Sequence, residues 1–275
     1  MSGSSGSPAR WLVATDLDGT LLDHETYSFE AARPALALLA ERSIPLVLVT
    51  SKTRAEAEAI AALIGTPPLL VVENGGAVVV PEGSVGTRTI GLGVPYPRLV
   101  EALDAIALEA GASVRGFSSL SRREVEDLTG LRGAAAERAR VRGFDEPFLV
   151  SDPGVVPALE KAAARRGLAV TRGGRFHHLV GAGTDKGRAL RALLRLPGAG
   201  GEGVVTVGLG DAANDLSLLQ AVDRPVIVPR PNGAPDAVLA AELPGAETAP
   251  APGPAGWNAA VLAILSGERL SPGPR

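Results

Sequence analysis

Apolar and polar positions run in two different rhythms along this chain, and the change between them divides it. The first rhythm is a short buried run followed by a longer stretch of helical spacing. Trp11-Leu12-Val13-Ala14-Thr15 is an apolar strand that ends in acidic residues and glycine. Phe29 to Arg42 carries apolar residues at helical spacing (Leu36, Leu38, Leu39, Ala40), and Ile44 to Val49 is a second apolar strand. Thr53 to Ile64 predicts an Ala/Glu-rich helix closed by Gly65, and Leu69-Leu70-Val71-Val72 a third strand. Strands alternating with helices predict parallel βαβ units. Ligands of such sheets gather at the carboxyl ends of the strands, which here are followed by Asp16, by Thr50-Ser51 and by Glu73-Asn74.

The middle of the chain has another character. Val78-Val79-Val80 and Thr87 to Ile90 predict a hairpin around Pro81-Glu82-Gly83. Helical stretches follow at Tyr96 to Ala110 and Ser121 to Arg140. Short strands are expected at Glu146 to Val150, Leu168 to Arg172 and Phe176 to Val180, with a helix beginning near Val155. The first rhythm then returns: a helix from Lys186 to Leu196, a very apolar strand at Val204 to Leu209, a helix from Asp215 to Ala221, and a strand at Pro225 to Val228. Gly245 to Gly256 reads as a Pro/Gly/Ala-rich loop, the last residues as frayed, and no internal repeat is visible. The expected fold is therefore α/β: a Rossmann-like parallel-sheet core over 11–83 and 181–270, with an inserted α+β cap over 84–180. The Ser/Gly-rich stretch 1–10 reads as a flexible leader, and the hinges fall near Gly83 and Gly181.

Composition narrows the class. A chain of 275 residues with 45% apolar residues can bury a sizeable core. Its net charge of -3 gives no footprint for nucleic acid, and no apolar run reaches bilayer-spanning length. The absence of cysteine rules out disulfides and thiolate metal sites and is compatible with the cytoplasm. Lysine occurs only at positions 52, 161 and 186, every other basic residue being arginine, so each lysine draws attention.

Two strings carry the candidate chemistry. In Asp16-Leu17-Asp18-Gly19-Thr20-Leu21-Leu22, two carboxylates follow a buried strand one residue apart. One can attack phosphorus and the other can move the proton, and Gly19 permits the sharp turn between them. Gly208-Leu209-Gly210-Asp211-Ala212-Ala213-Asn214-Asp215 also follows an apolar strand; Asp211 can complete an oxygen cage for a hard divalent ion that Asp16 begins. Asn214 and Asp215 read equally well as caps of the next helix. Thr50-Ser51 can cradle phosphate with main-chain N–H groups or simply cap a helix. Lys186 opens a helix, where a lysine is electrostatically disfavoured, which points to a charge placed for an anion.

In this order and context the four segments resemble the haloacid dehalogenase-like phosphatase superfamily across nearly the whole chain. The resemblance implies Asp16 as nucleophile and Asp18 as general acid/base. It implies Mg²⁺ held by the Asp16 carboxylate, the Asp18 main-chain carbonyl and the Asp211 carboxylate. Thr50, Ser51, Lys186 and Asn214 would then bind the phosphoryl group. Three further strings, Thr50-Ser51-Lys52-Thr53, Arg142-Gly143-Phe144-Asp145-Glu146-Pro147-Phe148 and Gly173-Gly174-Arg175-Phe176-His177-His178-Leu179, together with Glu73-Asn74-Gly75-Gly76, resemble those of mannosyl-3-phosphoglycerate phosphatases. The chain departs from that pattern with Phe144 and His177 where tyrosine is usual, and with Asp145 where serine is usual.

The resemblance implies a small phosphorylated glycosyl glycerate as substrate. Arg142 and Arg175 suit its carboxylate or sugar hydroxyls, and Glu73 and His178 suit its hydroxyls. Arg142 and Arg175 also have a bland reading, as solvated arginines, and His178 one as a hydrogen-bonded structural histidine. Arg122-Arg123 and Arg165-Arg166 read as ordinary exposed helix charges. Phosphatases for glucosyl-3-phosphoglycerate or another sugar phosphate, a phosphomutase and a silent sugar-phosphate-binding protein are the competing expectations. Nothing in the sequence sets the oligomeric state.

Overall fold

The computed structural model describes residues 10–83, 86–173, 176–197, 199–201 and 203–270. The expected leader therefore lies outside the described residues except for Arg10. The chain divides into two compact units, Met1–Val47 with Leu193–Arg275, and Leu48–Ala192.

The first unit is built on parallel strands. Arg10–Thr15 pairs with Val204–Gly210, which pairs with Arg224–Ile227, which pairs with Glu247–Thr248, all parallel. The first two strands are buried over most of their length, as near-continuous apolar runs in parallel sheets are. Helix Arg33–Glu41 presents Ala35 and Leu39 to the interior and is entered through a 3₁₀ turn at Glu30–Ala32. Helix Gly253–Leu265 buries Trp257, Ala260, Val261 and Ile264, a stripe of helical spacing. The two helices are joined where Asn258 Oδ1 accepts the Ala35 N–H at 2.9 Å, satisfying a donor at the helix start.

The second unit holds two antiparallel arrangements. Leu69–Val72 pairs with Ala77–Glu82, which pairs with Gly86–Gly91. A separate four-stranded antiparallel sheet has the order Val114–Gly116, Glu146–Val150, Phe176–Gly181, Leu168–Gly173. Its apolar layer joins Leu99, Leu103 and Ile106 of helix Tyr96–Ala110 and Leu159 of helix Val156–Ala164 to Phe148 and Leu179 of the sheet. Helix Arg54–Ile64 begins with a capping box, Thr53 with Glu56, and ends at left-handed Gly65, as the sequence signals require. The molecule is thus α/β with a parallel sheet and a separate antiparallel sheet, and no helix of the described residues is long and apolar enough to cross a membrane.

Three sequence expectations change. The helix expected over Ser121 to Arg140 is two, Arg122–Thr129 and Ala134–Arg140, because Gly130 and Gly133 both take positive φ and break it. The loop expected over Gly245 to Gly256 contains the edge strand Glu247–Thr248 and the start of helix Gly253–Leu265; a helix Ala237–Glu242 precedes it. The helix expected from Asp215 to Ala221 is helical only over Leu216–Leu219, after a 3₁₀ turn at Ala213–Asp215.

Leu159 is fully buried in the apolar layer of the antiparallel sheet. Leu159→Ala should lower the unfolding free energy of the second unit by about 2–5 kcal/mol, measured by urea denaturation with a fluorescence probe in that unit. A loss under roughly 1 kcal/mol would show that this layer does not hold the sheet.

Candidate active site

Strand Arg10–Thr15 is continued by one more ladder bond, in which the Asp16 N–H donates to the Leu209 carbonyl at 2.9 Å. That bond fixes Asp16 beside the strand that leads into Asp211. A turn then closes over residues 17–22: the Leu22 N–H reaches the Leu17 carbonyl at 2.7 Å and the Gly19 N–H reaches the Leu22 carbonyl at 2.9 Å. Gly19 sits at φ +80, and a Cβ there would come within 2.7 Å of Asp211 Oδ2. Only glycine meets both conditions. Thr20 Oγ1 donates to Asp211 Oδ1 at 3.1 Å. Behind the turn, Trp257 Nε1 donates to Thr15 Oγ1 at 2.9 Å, and that hydroxyl donates to the Asp16 carbonyl at 2.7 Å.

Asp16, Asp211 and Asp215 each offer a carboxylate oxygen, and these three oxygens lie within 4.8 Å of one another. Asp16 and Asp215 are buried. Three carboxylates this close repel one another unless a cation or protons intervene, and hard oxygen donors in this number suit a divalent ion such as Mg²⁺. The sequence points to Asp16 and Asp211 for this group, whereas Asp215 reads from it only as a helix cap. The cap is real, since Asp215 Oδ2 accepts the N–H groups of Asp211 and Ala212 at 3.1 and 3.2 Å, and the same residue joins the acidic group. A second aspartate four residues after Asp211, one helical turn on, is the signal that could have found it. Asp18 is half-buried at the turn, bridged to Leu22, and its carboxylate is not one of the three. Asn214 is half-buried and lies in the Ala213–Asp215 turn.

The remaining expected residues belong to the second unit. Thr50 is fully buried; its N–H donates to Val71, and its Oγ1 accepts the Lys52 N–H at 3.1 Å. Ser51 is half-buried beside it. The turn Glu73-Asn74-Gly75 ties this loop down, with the Glu73 N–H on the Lys52 carbonyl and the Asn74 N–H on the Thr50 carbonyl, both at 3.0 Å. Glu73 and Asn74 both adopt left-handed φ, +50 and +56, a costly conformation for two successive non-glycine residues. Gly75 follows at φ +95, and a Cβ there would strike the Asp185 carbonyl at 2.2 Å. The turn thus meets both the Thr50 loop and the start of helix Lys186–Leu194, where Lys186 is 1% exposed.

The same turn engages residues 142–145. The Glu73 carboxylate accepts the Gly143 N–H at 3.0 Å and the Phe144 N–H at 2.8 Å. Burial pushes the Glu73 carboxyl above its ordinary range, against the pull of Arg142. Asp145, wholly buried, accepts from Asn74 Nδ2 at 2.9 Å and lies 2.9 Å from His178 Nδ1 through either oxygen. Burial alone would raise the Asp145 carboxyl; His178, Arg142 and Asn74 outweigh it and hold it below the usual range. Arg142 Nε donates to the Ala139 carbonyl at 3.2 Å, and its guanidinium lies over the Phe117 ring at 5.3 Å. Arg142 Nη1 stands 3.5 Å from Asp145 Oδ2 and is a buried nitrogen with no hydrogen-bond partner among the described residues. Arg175 lies outside the described residues.

Comparison with known proteins adds three findings. Residues 13–89 match a family model described as haloacid dehalogenase-like hydrolase. The chain is 39% identical over 266 residues to a "Glucosyl-3-phosphoglycerate/mannosyl-3-phosphoglycerate phosphatase" of Persephonella marina, covering 93% of this chain and 97% of that protein. A protein of the same name from Methanococcoides burtonii is also 39% identical, over 92% of this chain and 97% of its own length. Among solved structures, a haloacid dehalogenase subclass IIB sugar phosphatase superposes with a TM-score of 0.63 at 17% identity, over 93% of this chain and 98% of that one. At that identity the match speaks for the fold alone.

Gly19→Ala should weaken divalent-ion binding about 10–100-fold, read by calorimetric titration with Mg²⁺ and Mn²⁺. Gly65→Ala is the control, since Gly65 has the same left-handed φ, +81, but no atom within 4 Å of the place a Cβ would take. Equal ion binding in the two variants would separate the Gly19 turn from the acidic group.

Proposed function

On the premise that the chain belongs to the haloacid dehalogenase-like hydrolases and is a phosphoric monoester hydrolase, we propose that it hydrolyses mannosyl-3-phosphoglycerate to mannosylglycerate and phosphate. The observation that carries this reading is the full-length likeness to relatives of that name, joined to the buried Asp16 of the Asp-x-Asp turn standing with Asp211 and Asp215. The relatives' names pair both sugars, which favours glucosyl-3-phosphoglycerate as a second substrate of the same enzyme. A product of this kind is a compatible solute, and a cytoplasmic place agrees with the cysteine-free composition.

The chemistry follows from the residues. An Asp16 carboxylate oxygen attacks phosphorus while the bond from phosphorus to the ester oxygen breaks. Asp18 gives its proton to the departing glycerate oxygen, leaving an aspartyl phosphate and an ionised Asp18. Asp18 then takes a proton from water, whose oxygen attacks phosphorus, releasing phosphate and restoring Asp16. Thr50, Ser51, Lys186 and Asn214 are assigned to the phosphoryl oxygens, whose charge Lys186 offsets. The carboxylates of Asp16 and Asp211, with the Asp18 main-chain carbonyl and Asp215 beside them, would hold Mg²⁺, which when bound offsets the repulsion between a carboxylate and a phosphate. Residues 84–180 are assigned as the cap, moving near Gly83 and Gly181, and Glu73, Arg142, Arg175 and His178, of the cap and its rim, as the readers of the substrate.

Asp16→Asn should cut turnover by several orders of magnitude with an unchanged circular-dichroism spectrum, and EDTA should silence the wild type reversibly. The deciding assay is phosphate release from mannosyl- and glucosyl-3-phosphoglycerate against simple sugar phosphates. The two glycosyl phosphoglycerates should be strongly preferred, with free phosphate equal to ester consumed. Comparable rates on every ester would overturn the narrow substrate and leave the phosphatase; phosphate returned to product would indicate a mutase.

A further inference from the structure

Around Asp145 the second unit assembles more polar groups than its folding requires. A fully buried carboxylate carries a large desolvation cost, and an apolar residue of similar volume would often stabilise as well or better. The neighbours of Asp145 are Asn74 at 2.9 Å, His178 at 2.9 Å and Arg142 at 3.5 Å. They arrive from three separate elements, the turn after strand Leu69–Val72, the approach to strand Glu146–Val150, and strand Phe176–Gly181.

Each partner is left poised by the contact. A carboxylate only accepts, so the His178 hydrogen that faces Asp145 lies on Nδ1. The Nε2 edge faces Gly173, where a Cβ would come within 3.0 Å, so glycine preserves the space beside it. Arg142 is held by Nε and by its stacking on Phe117, while Nη1 lacks a hydrogen-bond partner among the described residues. A buried N–H donor left open on a fixed guanidinium suits an incoming carboxylate. Asn74, the third partner, is bonded through its N–H to the Thr50 carbonyl of the assigned phosphate loop.

We propose that Asp145 is the specificity-determining positioning residue of this enzyme: its buried carboxylate fixes His178 and Arg142, and through Asn74 refers them to the Thr50 loop. Substrate selectivity then depends on how far the glycerate carboxylate and sugar hydroxyls lie from the phosphate. This inference rests on the glycosyl phosphoglycerate reading above. Asp145 touches no substrate atom in this account and acts through its three partners.

The test compares the full-length wild type with Asp145→Asn, which keeps shape and removes charge, and Asp145→Ser, which removes the tethers. Each is assayed with Mg²⁺ on mannosyl-3-phosphoglycerate and on p-nitrophenyl phosphate, which has a phosphate and nothing for the cap to read. For both variants kcat/KM on the glycosyl ester should fall about 100-fold, mainly through KM, as expected when reading groups are displaced by an ångström. The rate on p-nitrophenyl phosphate should stay nearly constant at a temperature where circular dichroism shows both variants folded. Parallel loss on both esters would mark Asp145 as merely structural, and retained selectivity in both variants would overturn the inference alone. A wild type without preference for the glycosyl ester would overturn the substrate reading, and this inference with it. A measurement independent of variant folding is the ¹⁵N spectrum of the histidines, of which the chain has only 3. His178 should show the Nδ1–H form; the Nε2–H tautomer would overturn the assignment.

Discussion

The pairing of strands Arg10–Thr15 and Val204–Gly210 is the constraint on which the acidic centre depends. Parallel ladder bonds are evenly spaced, so a register fixed along six pairs is still fixed one residue further, where Asp16 donates to Leu209. Two segments far apart in the chain thereby deliver carboxylates to one place. Like charges do not assemble unaided, and here neighbouring groups hold them: a glycine turn, a threonine hydroxyl on Asp211, and two main-chain N–H groups on Asp215. Cohesion of the apolar strands holds the acids close, and a divalent cation is the kind of ion that three such carboxylate oxygens suit.

The second unit solves the converse problem, burying charge of both signs without leaving it idle. Glu73 and Asp145 flank one permanent cation, Arg142, and main-chain or amide donors supply most of the remaining bonds. The strain of two left-handed residues at Glu73 and Asn74 is offset by the six hydrogen bonds that their backbone and side chains make to two other segments. Strain of this kind persists where the surroundings over-determine a conformation, and here they join the Thr50 loop to residues 142–145.

Much of this is legible in the sequence wherever a local rule is at work. The buried strands, the Thr53–Gly65 helix signals and the acidic strings at Asp16 and Asp211 all follow from patterns a few residues long. What escapes depends on partners distant in the chain. Gly253–Leu265 begins like a loop because proline and glycine punctuate its first turn, whereas Trp257 and the residues packed around it make it a helix. Glu73 reads from the sequence as a partner for substrate hydroxyls; only the fold shows that it also accepts the N–H groups of Gly143 and Phe144. Asp215 carries two roles, and the cap alone is readable from its neighbours.

The bond from Trp257 to Thr15 joins residues 242 apart in the chain. The strand bearing Asp16 is made before the helix that braces its carbonyl from behind, by roughly 10–50 s at ordinary rates of synthesis. Until then the acidic turn lacks its backing, and a nascent chain halted short of this helix carries every acidic residue of the centre without the brace. Synthesis of helix Gly253–Leu265 is therefore the event that supplies the brace.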